Sequence, residues 1–281
     1  MSAADPEPLP VPPLEAIRTE LRRTNFSGRT VTLAEGALVV AGTSVLSLRT
    51  GRATDTAVLA GIGALGLLDD LLEPHMRRAG RPVSKGLRGH LGALRRGRLT
   101  TGALKAAGIP LLALAGAAAS PAPRGGAMVL ADAALTAGCA NLANLLDLRP
   151  GRALKVILPA AALLAAPAGA GSARAATGTH LGRAALLPAL VALPPDLREH
   201  GMLGDAGANV LGAAVGTAAA RSTAPPARLG MLALVVALNL ASETVSFSTV
   251  IERTPVLRAL DRLGRRPLPA PRPGPTHGGT R

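Results

Sequence analysis

Between residues 31 and 248 the chain turns apolar for a helix-length stretch, then briefly polar, eight times over. The apolar runs are 31–48, 54–72, 101–120, 125–146, 153–172, 180–195, 203–220 and 228–248. A helix that crosses a bilayer needs about 20 mostly apolar residues, with its backbone polar groups satisfied inside the segment. Pro110, Pro159 and Pro188 interrupt three of the runs, which is tolerated where neighbouring helices re-satisfy the freed backbone. The pattern predicts an all-α polytopic helical membrane protein with about eight transmembrane helices. With two Phe and neither Trp nor Tyr, Ala, Leu, Val and Gly must build the helix contacts. Small residues at helix interfaces suit close approach in lipid, although an Ala/Arg-rich genome gives the same bias.

The flanks differ. "MSAADPEPLPVPPLEAIRTE" is Pro-rich and acidic, with neither a basic start nor an apolar core, so no cleavable signal peptide is expected. "RRPLPAPRPGPTHGGTR" is a Pro/Gly/Arg tail. The expected organisation is a disordered segment 1–24, a membrane-embedded domain 25–264 and a disordered tail 265–281. The single Cys139 excludes an intramolecular disulfide framework. A formal net charge of +14 points to nucleic acid or an anionic membrane surface. Nucleic acid is the poorer fit, since base-stacking platforms need aromatic residues.

The connections set an orientation. "HMRRAGRPVSKGLRGHLGALRRGRLTTGALK" carries nine Lys or Arg and no acid, which places it in the cytoplasm. Both termini and the loops "DLRPGRALK" and "PPDLREHGMLGD" then share that face, as expected of a multi-pass protein of a bacterial plasma membrane. Arg95, Arg96 and Arg98 would meet anionic membrane lipids, each worth about 1 kcal/mol. "GIGALG" (61–66) matches a dinucleotide-binding pattern. That pattern has meaning only between a strand and a helix, and here helix packing is the better reading.

The acids fall on the predicted cytoplasmic face. Asp69 and Asp70 end the second run, Asp147 ends the fourth, Asp205 opens the seventh, and Glu243 lies near the end of the eighth. Acids often simply mark where helices leave lipid, but adjacent carboxylates repel and double the cost of that position. Asn141, Asn144 and Asp147 follow one another at i,i+3 spacing and form one polar row. Lys85, Arg88, His90, Arg149, Arg152 and Lys155 stand in the adjoining loops. Carboxylates ringed by basic groups suit a phosphate-handling metal site in an inner-face polar cleft. Mg²⁺ fits best, with Mn²⁺ as the alternative, because it takes one or two carboxylates plus substrate oxygens. One Cys and scattered His argue against Zn²⁺.

In order along 25–252, the segments "NFSGRTVTLAEG", "GLLDD", "KGLRGHLGALRRGRLTTGALK", "NLANLLD", "MLGDAGANVLG" and "SETVSFSTVIER" resemble the polyprenyl-phosphate N-acetylhexosamine-1-phosphate transferases. The resemblance implies an enzyme that moves a sugar-1-phosphate from a UDP-sugar onto a membrane polyprenyl phosphate in cell-envelope glycan synthesis. It implies Asp69, Asp70 and Asp205 as catalytic, with Asp205 and Asp70 at the metal. It implies Lys85, His90, Asn141, Asn144, Asp147, Arg149 and Arg152 as substrate-binding. "TLAEG" and "LRPGRALK" depart from the family's loops, which suggests an unusual sugar donor. The alternative is a non-catalytic relative that binds polyprenyl phosphate or nucleotide as an assembly scaffold. An ion-coupled transporter would instead predict mid-membrane charges and an internal repeat. A homodimer stays open. Asp132, inside a run, reads equally as functional or as a helix–helix contact. His200 reads as a surface residue, and Glu243 as an orienting or plain interfacial acid.

Overall fold

The computed structural model describes residues 13–78, 101–121, 125–166 and 172–267. These form eleven α-helices and one short hairpin: α1 (Pro13–Glu20), β1 (Arg22–Thr24), β2 (Thr30–Thr32), α2 (Ala34–Ser47), α3 (Ala53–Arg78), α4 (Thr101–Ala118), α5 (Gly126–Leu146), α6 (Arg152–Ala165), α7 (Ala173–Leu197), α8 (Gly204–Ser222), α9 (Pro225–Ser242), α10 (Phe247–Arg253) and α11 (Pro255–Arg262). The chain is therefore all-α apart from the hairpin, and each of the eight apolar runs falls on one of the helices α2–α9. Segment 1–24, expected to be disordered, holds α1 and β1 in its second half.

Among the described residues three helices, α4, α5 and α9, are long and apolar enough to cross a membrane, which suggests a membrane protein. Eight had been expected. The shortfall has a local cause in each case. Helices α2 and α6 have only 14 residues each, α3 carries Asp55, Asp69, Asp70 and Glu73, and α7 and α8 are diluted by Gly, Thr and Arg.

Helix α8 is the axis of the bundle. It packs against α2, α3, α5, α6 and α7, and nearly all of its residues are buried. Its composition makes this possible, because a row of Ala and Gly lets five neighbours approach. A β-carbon on Gly66 of α3 would lie 2.5 Å from the Asp205 carbonyl oxygen. One on Gly36 of α2 would collide with the Leu203 carbonyl. Both contacts press on the first turn of α8. The "GIGALG" glycines pack in the same way, with Gly61 against Leu112 and Gly63 against Val40. Leu59, Ile62, Leu154, Leu181 and Leu211 fill the core between them.

Adjacent helices run in alternate directions, so the bundle has two distinct ends. Helices α2, α4, α6 and α8 begin at one, and α3, α5 and α7 finish there. The β1–β2 hairpin closes that end, pairing Arg22 with Thr32 and Thr24 with Thr30. The Thr32 carbonyl accepts the Met202 amide (3.1 Å), which ties the loop between α7 and α8 to the hairpin.

Candidate functional site

The first turn of α8 has no side-chain cap of its own, leaving exposed N–H donors at the positive end of a helix dipole. Asp70, reaching across from α3, supplies the missing acceptor. Its two carboxylate oxygens accept the amides of Asp205 (3.1 Å) and Ala206 (3.0 Å). Arg23 of β1 in turn donates to the Asp70 carbonyl at 2.6 Å. Asp70 thus fixes where Asp205 stands.

Asp69, the preceding residue, points to a different partner. The Lys105 ammonium, in the first turn of α4, lies 2.9 Å from the Asp69 carboxylate and also bonds that of Asp205. One cation is shared by two carboxylates from different helices. A turn further along α8, Asn209 donates to the Asp205 carbonyl at 2.7 Å.

Among the described residues, no group of three or more His, Cys, Asp or Glu is placed to hold a metal ion by itself. Mg²⁺ does not need one, since one or two carboxylates plus substrate oxygens suffice. Asp69 and Asp205 meet that requirement, because their hard oxygen donors already converge on a single cation, the Lys105 ammonium. Asp70 fits less well than the sequence suggested, since both its oxygens face the α8 amides.

Beside this centre lies a polar pocket of about 280 Å³, lined by Asn25, Phe26, Asp147, Arg149, Asp196 and Met202 among others. The β1–β2 turn that forms one wall is held by its own chemistry. The Asn25 side-chain oxygen accepts the amides of Ser27 and Arg29, each at 3.0 Å, and Gly28 takes φ +76°. Glu199 then clamps the turn from the α7–α8 loop. Its carboxylate accepts from Asn25 (2.6 Å), Arg29 (2.5 Å) and Ser27. Glu199 itself has φ +57°, a costly conformation for a side-chain-bearing residue that these bonds hold in place. Phe26 is left at the tip, with the Arg149 guanidinium 4.3 Å from its ring centre.

The pocket floor is acidic. Asp196 accepts the Gly151 amide at 2.7 Å and so caps α6. Asp147 forms no ion pair with a described cation. Burial, followed by the negative field of Asp196, Asp205, Glu35 and Asp70, pushes its carboxyl well above the usual range. Asp205 and Asp70 of the carboxylate centre are thus within electrostatic reach of the pocket floor. A second cavity of about 470 Å³, mostly apolar, runs between α2 and α7 past Leu38, Leu46, Leu187 and Val191. Gly201 lines both cavities. Glu35 stands there, buried, with neither carboxylate oxygen hydrogen-bonded to a described residue.

The sequence-predicted residues divide accordingly. Asp69, Asp70 and Asp205 come together, and Asp147 and Arg149 line the adjoining pocket. Arg152 does not reach that pocket. Its buried guanidinium makes a paired bond to Asp261 of α11 (2.8 and 3.2 Å) and another to Ser248 (2.8 Å), so it ties α6 to α11. Asn141 donates to Asn239 of α9 at 2.6 Å, a helix–helix contact. Asn144 is half-buried, between that contact and Asp147. Lys85 and His90 lie outside the described residues, as do Arg88, Arg95, Arg96 and Arg98. Asp132 is ion-paired at the opposite end of the bundle, Glu243 is exposed at the end of α9, and His200 is exposed.

Sequence reasoning missed Lys105, Asp196, Glu35 and the Phe26–Arg149 stack. Lys105 was readable: it is the one charge inside the apolar run 101–120, where a cation marks either a helix end or a site. The others depended on which loops meet. No protein-family model matches the chain, and neither a curated protein nor a solved structure matches it.

Proposed function

We propose that the chain is a membrane-embedded, Mg²⁺-dependent transferase. It moves a sugar-1-phosphate from a UDP-sugar to a polyprenyl phosphate on the cytoplasmic face of a bacterial plasma membrane. The observation that carries this reading is the Asp69–Lys105–Asp205 arrangement. Two carboxylates and an ammonium are gathered at the N-terminus of a buried helix, at one end of an apolar bundle. Phosphoryl transfer asks the protein mainly for positioning and charge neutralisation, and each part has a residue for it.

Asp69 and Asp205 would hold Mg²⁺, which neutralises diphosphate charge when bound. Lys105, which bridges the two carboxylates here, would meet a phosphate oxygen. Asp70 keeps Asp205 in register through the α8 amides. The polar pocket takes the nucleotide, with Phe26 offering a ring face and Asp147 and Asp196 offering acceptors. The prenyl chain follows the apolar cavity between α2 and α7, which meets the polar pocket at Gly201. The five less apolar helices of α2–α9 cross the bilayer together with α4, α5 and α9. Helix α8 needs no lipid-grade hydropathy, because its neighbours and not lipid surround it.

The test is an exchange assay in membranes. Radiolabelled UMP is followed into UDP-sugar in the presence of Mg²⁺ and undecaprenyl phosphate, for the native chain and Asp205→Asn. Exchange by the native chain and its loss in the variant are expected. If lipid phosphate binds but no nucleotide sugar exchanges, the non-catalytic scaffold takes precedence.

A further inference from the structure

Helix α11 leaves its apolar residues uncovered and is held to the protein through one buried acid. At 100° per residue, Val256, Leu257, Leu260 and Leu263 lie on one side, while Arg258, Asp261 and Arg262 lie on the other. On the polar side only Asp261 is buried against the protein, while Arg258 and Arg262 are exposed. Asp261 is buried against Arg152, Lys155 donates to the Asp261 carbonyl at 2.7 Å, and Arg265 adds a further bond to its carboxylate. Burial alone would raise the Asp261 carboxyl, but the Arg152 bond and the Arg265 charge hold it below the usual range, so the tether is charged at neutral pH.

The apolar side faces away. Val256 is 69% exposed, Leu260 57% and Leu263 68%. Arg253, at the end of α10, and Arg258 and Arg262, on the opposite side of α11, are also exposed. The position of the helix selects what covers this face. Helix α9, apolar enough to cross a membrane, ends at Ser242, and α10 begins at Phe247. The α10–α11 pair therefore starts within a few residues of a bilayer boundary. An apolar stripe with exposed arginines on the opposite face matches an in-plane interfacial helix, with its stripe among the acyl chains and its cations reaching anionic headgroups.

We propose that α11 lies in the membrane interface, with Val256, Leu257, Leu260 and Leu263 immersed and Arg258 and Arg262 on anionic lipid headgroups. The Asp261–Arg152 tether then couples this lipid-bound helix to the start of α6, next to the loop that walls the polar pocket. The proposal rests on α9 crossing a bilayer and is independent of the transferase reading, because its test measures depth and not activity.

The test uses the full chain with Cys139→Ala, carrying single cysteines in turn at positions 256, 258, 260, 262 and 263. Each is labelled with a nitroxide and reconstituted into vesicles of phosphatidylcholine and phosphatidylglycerol (3:1). Collision with oxygen, which concentrates in lipid, is compared with collision with a water-soluble nickel chelate. Oxygen should dominate at 256, 260 and 263, and nickel at 258 and 262. Replacing phosphatidylglycerol with phosphatidylcholine should shift the apolar positions toward nickel, by roughly fivefold for each arginine that loses its headgroup. Equal nickel access at all five positions would overturn the proposal. So would dipolar broadening at 256, 260 and 263, which would place a second copy on this face, or exclusion of both reagents, which would place another part of the chain there.

Discussion

The two ends of the bundle handle buried charge in opposite ways. Where α3, α5 and α7 begin, acids meet guanidinium groups. Asp55 forms a paired bond with Arg221 at 2.5 and 2.7 Å, both side chains only 2% exposed. Asp132 lies 2.6 Å from Arg174 and 3.3 Å from Arg228. The cavity left there is about 20 Å³, room for roughly one water. At the other end, Asp69 and Asp205 share a single ammonium, and Asp70 and Asp196 rest on backbone amides. Asp147 and Glu35 are paired with no described cation, and cavities of about 280 and 470 Å³ adjoin them. Matched charge in filled space is a structural lock. Carboxylates in excess of cations beside open space are the arrangement that a binding site for a cation and its ligand would need. Charge alone, at the border of an apolar segment, does not separate the two; its partners and the room around it do.

The lock should show the largest effect on stability. Removing one member of a buried ion pair strands the other, at a cost of about 3–5 kcal/mol, whereas replacing both with apolar residues is often neutral. Arg221→Ala should therefore lower stability by about that amount in a detergent-solubilised denaturation series, and Asp55→Leu with Arg221→Met should recover most of it. A large, unrecovered loss in the double variant would mean that the far end is more than a lock.

The Asp205→Asn exchange test reads the other end and should give the reverse pattern. Losing a preorganised charge at a reacting phosphate costs about 10²–10³-fold in rate. The thermal midpoint should hold or rise, because the acid cluster loses one negative charge. If Asp205→Asn instead unfolds the protein as Arg221→Ala does, the distinction between the ends fails.

Asp70 stands between the two cases, since it belongs to the site but bonds only to backbone. Asp70→Asn keeps one acceptor and turns an N–H donor toward the α8 amides, leaving a donor unsatisfied at about 1–3 kcal/mol. Both stability and exchange rate should fall, and the rate loss should appear in kcat. A rate loss as deep as that of Asp205→Asn with unchanged stability would move Asp70 from positioning to direct contact with substrate.

Much of this contrast could be read in the sequence. Apolar periodicity located helices α2–α9, and the crowding of Asp69, Asp70, Asp147 and Asp205 onto one end follows from counting alternate crossings. Hydropathy does not say what an apolar run faces, and α8 is apolar yet enclosed by its neighbours. Arg152 has a partner that its neighbourhood in the sequence does not show. A cation in a loop beside an acid row suggests a substrate contact, and nothing local reveals that Asp261, more than a hundred residues later, folds back to claim it. The hairpin was missed because its strands are three residues long and depend on Glu199 for their turn.

The smallest expected effect sharpens the comparison at the site end itself, by asking which cavity takes the nucleotide. Phe26 is one of two aromatic residues in the chain, and the turn that presents it is held by Asn25 and Glu199, not by the ring. Phe26→Leu should therefore leave the fold intact while removing a π face. The Arg149 guanidinium covers one side of the ring at 4.3 Å, so a base has only the other, and the loss should lie near the low end of the stacking range, about 1 kcal/mol. That corresponds to a rise in KM for the nucleotide sugar of roughly fivefold, with kcat unchanged. Arg149→Ala should act in the same direction and more weakly, since an exposed cation–π contact is worth about 0.5–1 kcal/mol. Because the two residues touch, the double variant should lose less than the sum of the single losses. Additive losses would mean that they act on separate parts of the ligand, and no change in KM for either would place the base outside the Phe26 pocket.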